Sequence, residues 1–449
     1  MNIPDFVGQV IDSAHFEFDS ARFGWNHMID RKPALIARCS SVEDVVAAVR
    51  HAARTGMKAV ARCGGHSVSG ASLPENGMVI DLAALNKIDV DSETLIARVG
   101  GGALLGDLDS ATQAYGLAVT AGIEPETGVG GLTLGGGIGF LSRKLGLTID
   151  NLLGAQVVLA DGNLVEVNET SHPDLFWALR GGGGQFGIVT RFDFRVHPIG
   201  PEIVVGHAYY PLEKARDVMR YVRDFMHDAS DDVTLVPAFM KVPPVDPFPA
   251  EWHGKLSVAI VACHVGEHAL AKKELQPLLG LDDMTFGFVD SMPYLEFQKT
   301  FAGASPKGGR YYWKSIFVDD LNDDLVDIMA DGIRTLPGEY TLVFMETLGG
   351  AVGRVGNQKT AFSNRTARYN LGLSAGWVDR ADDDATVAAS QAWFERLKPF
   401  SDGTVYLNYI DRDEGARTRK GFGPNYGRLC EVKAKYDPQG LFVGMLSAG

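Results

Sequence analysis

Residues 62–67 read Arg62-Cys63-Gly64-Gly65-His66-Ser67 and follow Lys58-Ala59-Val60-Ala61, so a short apolar strand runs into two glycines and a histidine. Glycine lacks a Cβ and tolerates positive φ, which lets the backbone come against a large planar ring and a pyrophosphate. The histidine adds a ring nitrogen that can bond to carbon. Alone, a histidine after two glycines usually reads as a turn residue with a satisfied hydrogen bond. Its surroundings have to decide.

Upstream of the turn, Ala34-Leu35-Ile36-Ala37 is a short apolar strand. Ser41 then caps a helix that carries Val45, Val46, Val49 and Ala52, with Glu43 and Asp44 in its first turn. Met78-Val79-Ile80-Asp81-Leu82 and Leu95-Ile96-Ala97-Arg98-Val99 read as further strands, and a helix from about Leu104 to Tyr115 opens after Gly100-Gly101-Gly102. A helix N-terminus behind glycines suits a phosphate, although this run lacks the third glycine of a dinucleotide fingerprint. Asp161-Gly162-Asn163 between two apolar runs signals a hairpin. Glycine is the compositional outlier at 53 residues, and its clusters at 100–102, 130–131, 135–139 and 181–184 abut apolar elements, as a cofactor bed would and a linker would not.

Bulk composition narrows the classes. The 449 residues are 45% hydrophobic and 22% charged, ordinary for a globular chain long enough for two or three cores. A net charge of −14, with no basic run, argues against a nucleic-acid partner. The start, Met1-Asn2-Ile3-Pro4-Asp5-Phe6, lacks a basic and an apolar leader region, and no window approaches the roughly 20 apolar residues of a membrane span. The expectation is a cytoplasmic protein with no membrane partner. Cys39, Cys63, Cys263 and Cys430 are unpaired in spacing, so neither a metal site nor a disulfide framework is predicted, and each reads as a small buried hydrophobe.

Pro198, Gly200 and Pro201 punctuate a boundary. Residues 1–200, with a core at 31–200, form the first predicted domain. Residues 201–400 alternate strands with amphipathic helices such as Leu212–His227 and Leu321–Thr335 and form a second sheet that caps the first domain. Residues 401–449 return to it.

In this order the pieces resemble FAD-linked oxidases of the vanillyl-alcohol oxidase/p-cresol methylhydroxylase fold, in the branch of berberine-bridge-like enzymes. The resemblance is carried by Arg62–His66, Ile80-Asp81-Leu82, Thr127–Gly139, Asp150-Asn151-Leu152, Leu179–Gly187 and Asn425–Phe442. It implies an α+β fold: a two-part FAD-binding domain and an α/β substrate domain with an antiparallel sheet. It further implies FAD held through an 8α-histidyl bond at His66, with Arg62, Cys63, Gly64, Gly65 and Ser67 around the pyrophosphate. Gly128, Gly131, Gly135, Gly136, Gly139, Gly187, Ile188 and Val189 would line the ribityl and adenine portions. Many relatives tether the flavin again through a cysteine in Gly-x-Cys-Pro-Thr-x-Gly. Here the stretch is Gly122-Ile123-Glu124-Pro125-Glu126-Thr127-Gly128, and Glu124 cannot form a thioether, leaving His66 as the sole expected tether. Thr127 stands where relatives govern oxygen access.

On the substrate side the resemblance is less complete. Tyr369-Asn370-Leu371-Gly372-Leu373 has glycine where relatives carry an acid-base residue, and the Asn-x-Asn that follows Phe442 in relatives is replaced by Val443-Gly444-Met445-Leu446-Ser447. Glu346 ends the apolar run Thr341–Met345 and reads either as a buried proton-transfer carboxylate or as a salt-bridged strand end. Tyr406 and Asn408, read as one face of a strand, are expected at the flavin, with Tyr409 pointing into the core. The expected activity is an oxidase that moves a hydride from a C–H bond next to O or N of a small alcohol, sugar or amine onto flavin, with dioxygen as acceptor. A dehydrogenase with another acceptor and a flavin-bearing binding protein are the alternatives. The oligomeric state is left open.

Overall fold

Ser41 Oγ accepts the amide of Asp44, and Gly56 closes the helix Val42–Thr55 at φ 70°, so both ends of the first long helix stop where their chemistry dictates. That helix links Leu35–Arg38 to Ala59–Arg62, and both strands run parallel to Met78–Asp81 between them, with Gln9–Ile11 antiparallel at the edge. The computed structural model describes residues 3–245 and 248–447; Met1 and Asn2 of the N-terminal stretch lie outside them.

A second sheet, wholly antiparallel, has the spatial order Ile88–Asp91, Ile96–Gly100, Ile188–Arg195, Leu152–Val158, Leu164–Asn168. Its last two strands are the hairpin around Asp161-Gly162-Asn163, with Gly162 at φ 78°. The third sheet has seven antiparallel strands between Glu202 and Trp377, in the order Phe286–Pro293, Glu202–Pro211, Leu256–His264, Val233–Lys241, Leu342–Thr347, Tyr369–Trp377, Arg310–Val318. Its alternation is two-sided. Val343, Met345, Leu371 and Leu373 join a core with the helices Ala215–Asp228, Asp323–Thr335 and Asp383–Leu397. Leu342, Phe344, Gly372 and Ser374 stand on the other face by the period of two. Among the described residues no helix is long and apolar enough to cross a membrane.

Two sequence expectations are corrected. Gly100-Gly101-Gly102 is not a phosphate turn: its amides donate to Lys87, Thr190 and Leu85 carbonyls, and the amides of Leu105 and Gly106 at the start of the helix Leu105–Gln113 are taken by Thr127 and Pro125. Residues 405–409 are not a strand. Leu407–Tyr409 forms a 3₁₀ turn, which changes which tyrosine faces where.

Charged side chains stitch the segments together. Arg143 donates to the carbonyls of Val233 and Leu348, each at 2.6 Å, anchoring a glycine-loop helix to the seven-stranded sheet. Arg365 forks onto Asp150 at 2.7 and 2.8 Å, with the Arg365 side chain 1% exposed. The C-terminal tail returns to the first sheet, where the Ala59 amide donates to Leu441 and the Val443 amide to Ala59. Cys39 and Cys263 are buried as expected, whereas Cys63 and Cys430 are half-buried.

Removing Arg365 strands the Asp150 carboxylate in a site closed to water. Arg365→Met is expected to cost roughly 3–5 kcal/mol in denaturant unfolding, and Asp150→Asn in the same background to recover part of that loss. Equal unfolding midpoints for wild type and Arg365→Met would remove the pair from the stability account.

Candidate active site

A cavity of about 570 Å³ lies between the glycine loops and the face of the seven-stranded sheet turned away from its helices. Of the predicted cofactor residues, Cys63, Gly64, Gly65, His66, Ser67, Glu124, Thr127, Gly128, Gly131, Gly135, Gly187, Val189 and Asn408 line it. Arg62, Gly136, Gly139 and Ile188 do not. Arg62 is buried behind the turn, bonded to Asp81 at 2.6 Å and to the Ala21 carbonyl at 2.7 Å, so it braces the turn from outside the cavity. Ile188 pairs with Val158 in a sheet core, and a Cβ on Gly139 would lie 1.7 Å from the Ala121 carbonyl oxygen, so both belong to the packing behind the wall.

His66 is held face-on. Its ring stacks on Trp25 at 4.3 Å, and Trp25 stacks in turn on Tyr311 at 4.0 Å. Burial lowers the imidazole to about 4, so the ring is neutral at ordinary pH, and Nε2 is buried without a hydrogen-bond partner among the described residues. A neutral imidazole with an unpartnered ring nitrogen, facing a cavity whose wall is glycine backbone, fits a flavin. The amides of Gly65 and Ser67 donate to nothing within the described residues, which fits a pyrophosphate. The Cys63 thiol is raised to about 11 by burial and donates to the Ala103 carbonyl, so it is no rival nucleophile.

The proton-handling side departs from the sequence expectation. Tyr406 does not line the cavity. Its hydroxyl oxygen accepts the amides of Gly137 and Ile138, both at 3.1 Å, and the Asn408 amide at 2.8 Å; it is a buried brace for the glycine loop. Tyr409, expected in the core, lines the cavity instead and donates its phenol to Glu346 Oε1 at 2.8 Å. Tyr406 has extended backbone and the 3₁₀ turn Leu407–Tyr409 follows it, so the period of two that a strand reading assumes does not carry through to Tyr409. Glu346 sits one layer behind, 4% exposed, with Oε2 accepting Asn370 Nδ2 at 2.6 Å. Burial pushes its carboxyl up to about 7, against the lowering effect of those two hydrogen bonds. No cation pairs with Glu346 among the described residues, so the salt-bridged reading falls away. Burial and the Glu346 charge hold the Tyr409 phenol well above its usual range.

Gly372 is filled from across the sheet: a Cβ there would lie 2.5 Å from Phe344 Cζ, so the ring of Phe344 takes the place of a side chain at that position. Glu124 lines the cavity, raised by burial, with the Glu126 amide 3.4 Å from its Oε1. Asp411, which the sequence reading missed, also lines it, accepts the amides of Trp313 and Arg412, and is raised by burial to about 6. Trp313 and Phe344 were missed as well, since an aromatic in a strand looks like core until its face is known, and Trp25 was missed in the irregular stretch after the helix Phe18–Arg22.

The family model described as an FAD binding domain matches residues 33–168, and the one described as berberine and berberine like matches residues 405–446. (R)-6-Hydroxynicotine oxidase of Paenarthrobacter nicotinovorans is 32% identical over 97% of this chain and 95% of its own. The chain belongs to the berberine-bridge-like family of FAD-linked oxidases. The uncharacterized FAD-linked oxidoreductase YgaK of Bacillus subtilis, 30% identical over 97% of this chain and 95% of its own, is a further relative. Among solved structures, 6-hydroxy-D-nicotine oxidase from Arthrobacter nicotinovorans superposes with a TM-score of 0.87 at 25% identity, covering 97% of this chain and 96% of that one. A xylooligosaccharide oxidase from Myceliophthora thermophila gives 0.85 at 25% identity, covering 98% and 96%. This member of the family is thus an FAD-dependent oxidoreductase.

Tyr406→Phe leaves the two buried amides of Gly137 and Ile138 without their acceptor and Asn408 Nδ2 with only the Leu132 carbonyl. Thermal unfolding is expected to report a loss of about 1–3 kcal/mol. An unchanged melting temperature would contradict the bracing role.

Proposed function

We propose that this oxidoreductase carries FAD on His66 alone and oxidises a small alcohol or amine, with Tyr409 and Glu346 as the proton path and dioxygen as the final acceptor. The observation that carries the reading is the 2.8 Å hydrogen bond from the cavity-lining phenol of Tyr409 to a carboxylate whose burial sets it near 7. The bound flavin supplies the two-electron acceptor that no side chain offers. As the substrate C–H bond is lost as hydride, the substrate O–H or N–H proton passes to Tyr409 Oη, and the phenol's own proton passes to Glu346 Oε1. The substrate leaves as carbonyl or imine. Glu346 must be ionised to receive the proton, and a carboxyl poised near the working pH is suited to both taking and releasing it.

His66 supports the tether by three features: a neutral ring, an unpartnered Nε2 and a stacked orientation that costs no further ordering. Glu124, facing the cavity where relatives place a second tether, supports a single bond.

Denaturing gels test the tether. The wild-type band is expected to retain flavin fluorescence and the His66→Ala band to lose it; a dark wild-type band would end the covalent reading. Rapid reoxidation of the substrate-reduced enzyme in air is expected for an oxidase, whereas recovery over many minutes assigns another acceptor.

The proton path has a pH signature. Because Glu346 is raised to about 7, kcat/KM rises as pH increases through about 7 and levels off above it. Glu346→Gln is expected to flatten that limb, and Tyr409→Phe to lower kcat by about 10²–10⁴ with the flavin still attached. A profile unchanged by Glu346→Gln would remove the carboxylate from the path.

A further inference from the structure

Trp313 and Ser374 are paired in register on neighbouring strands of the seven-stranded sheet, and both line the cavity. Neither Trp313 Nε1 nor Ser374 Oγ has a hydrogen-bond partner among the described residues, although both atoms are buried and Ser374 is 1% exposed. A buried indole N–H ordinarily finds an acceptor, and a buried hydroxyl ordinarily finds at least one partner. Two such groups side by side on a cavity wall are an unfilled hydrogen-bonding site. Ser315 Oγ and Asn370 Oδ1 on the same sheet are also unpartnered, but neither residue lines the cavity.

Much of the cavity lining is apolar, with Glu124, Tyr409, Asp411 and Arg412 as its polar neighbours. Ile123, Val236, Phe301, Leu342 and Phe344 line it, the Phe344 ring lies 6.0 Å from the Trp313 ring, and the Trp313 ring meets the Tyr409 ring edge to face at 4.9 Å. Gly372 leaves the space that the Phe344 ring occupies. A sugar bears a hydroxyl on nearly every carbon, and those turned to the aliphatic and aromatic part of the wall would lie unpaired, at a cost for each. A flat aromatic ring loses nothing there and gains the contact area of Phe344 and Trp313.

We propose that Trp313 Nε1 and Ser374 Oγ form a specificity subsite for one acceptor atom on a planar aromatic or heteroaromatic alcohol or amine, whose oxidisable C–H lies toward Tyr409. The proposal rests on the oxidase reading for the identity of the reacting end, but the subsite's preference is a matter of binding. A site built to bond an acceptor discriminates against the analogue that lacks it, because its own donors are then left unpaired.

The test uses the flavin-bearing enzyme under anaerobic conditions with three probes. Nicotinyl alcohol and benzyl alcohol are isosteric except for one ring nitrogen, and xylobiose represents sugars. Dissociation constants come from perturbation of the flavin spectrum, and reduction is followed by flavin bleaching. Nicotinyl alcohol is expected to bind more tightly than benzyl alcohol. Trp313→Phe, which keeps a ring against Tyr409, and Ser374→Ala are each expected to weaken nicotinyl alcohol about 3- to 10-fold while shifting benzyl alcohol less than about twofold. Equal weakening of both alcohols by Trp313→Phe would mean packing in place of hydrogen bonding and would overturn the subsite, as would tighter binding of xylobiose than of either alcohol. Equal binding of the two alcohols by a wild-type enzyme that both of them reduce discards the subsite and leaves the oxidase reading intact. A preserved contrast without flavin reduction by any probe keeps the subsite and removes the oxidase reading from these alcohols.

Discussion

Backbone must meet backbone beneath the His66 turn, and much of the site follows from that closeness. A Cβ on Gly64 would lie 2.7 Å from both the Glu126 carbonyl oxygen and the Gly128 nitrogen, and a Cβ on Gly128 would lie 2.5 Å from Cys63 Sγ. Only two glycines facing each other let the turn and the 122–128 loop touch. With them in contact, the turn's outer side is braced by the Arg62–Asp81 pair, and its inner side presents His66 to the cavity. Any side chain at either glycine would push the loop that carries Glu124 and Thr127 away from the imidazole.

The opposite wall obeys a different constraint. A seven-stranded sheet with helices on one face leaves alternate residues of its central strands facing the cavity, and the chemistry of that face is set by which residues fall in register. Phe344 opposes Gly372 and Glu346 opposes Asn370. The first pairing turns a missing acid-base residue into an aromatic surface. The second holds a carboxylate in place by its amide partner while burial raises it. The buried carboxylate is therefore linked to the cavity through Tyr409, delivered by a turn from the C-terminal segment, which is the path proposed for the proton.

That delivery accounts for the one substantial misreading. Val405-Tyr406-Leu407-Asn408-Tyr409 alternates as a strand would, and period two directs Tyr406 toward the cofactor. Among the described residues the segment forms no strand pairing; Leu407–Tyr409 is a 3₁₀ turn, with Tyr406 beneath the glycine loop and Tyr409 at the cavity. The glycine run at 100–102 fails for a similar reason, since its amides are already committed to carbonyls of the surrounding backbone. Asn408 lines the cavity from the 3₁₀ turn and not from a strand.

By itself the sequence determined the cofactor side: glycines at close approach and a single histidine are local requirements of the backbone, legible wherever they occur in order. It also marked Glu346, because a carboxylate within an apolar run is conspicuous before its partner is known. Only the tertiary structure decided which groups face the cavity from the sheet side. Trp313, Ser374, Phe344 and Tyr409 come from strands and a turn separated by up to 96 residues in number, from 313 to 409, and their orientation depends on cross-strand register and on the 3₁₀ turn of the C-terminal segment. Neither is written in any short stretch of chain, because register is set by hydrogen bonds between segments far apart in sequence.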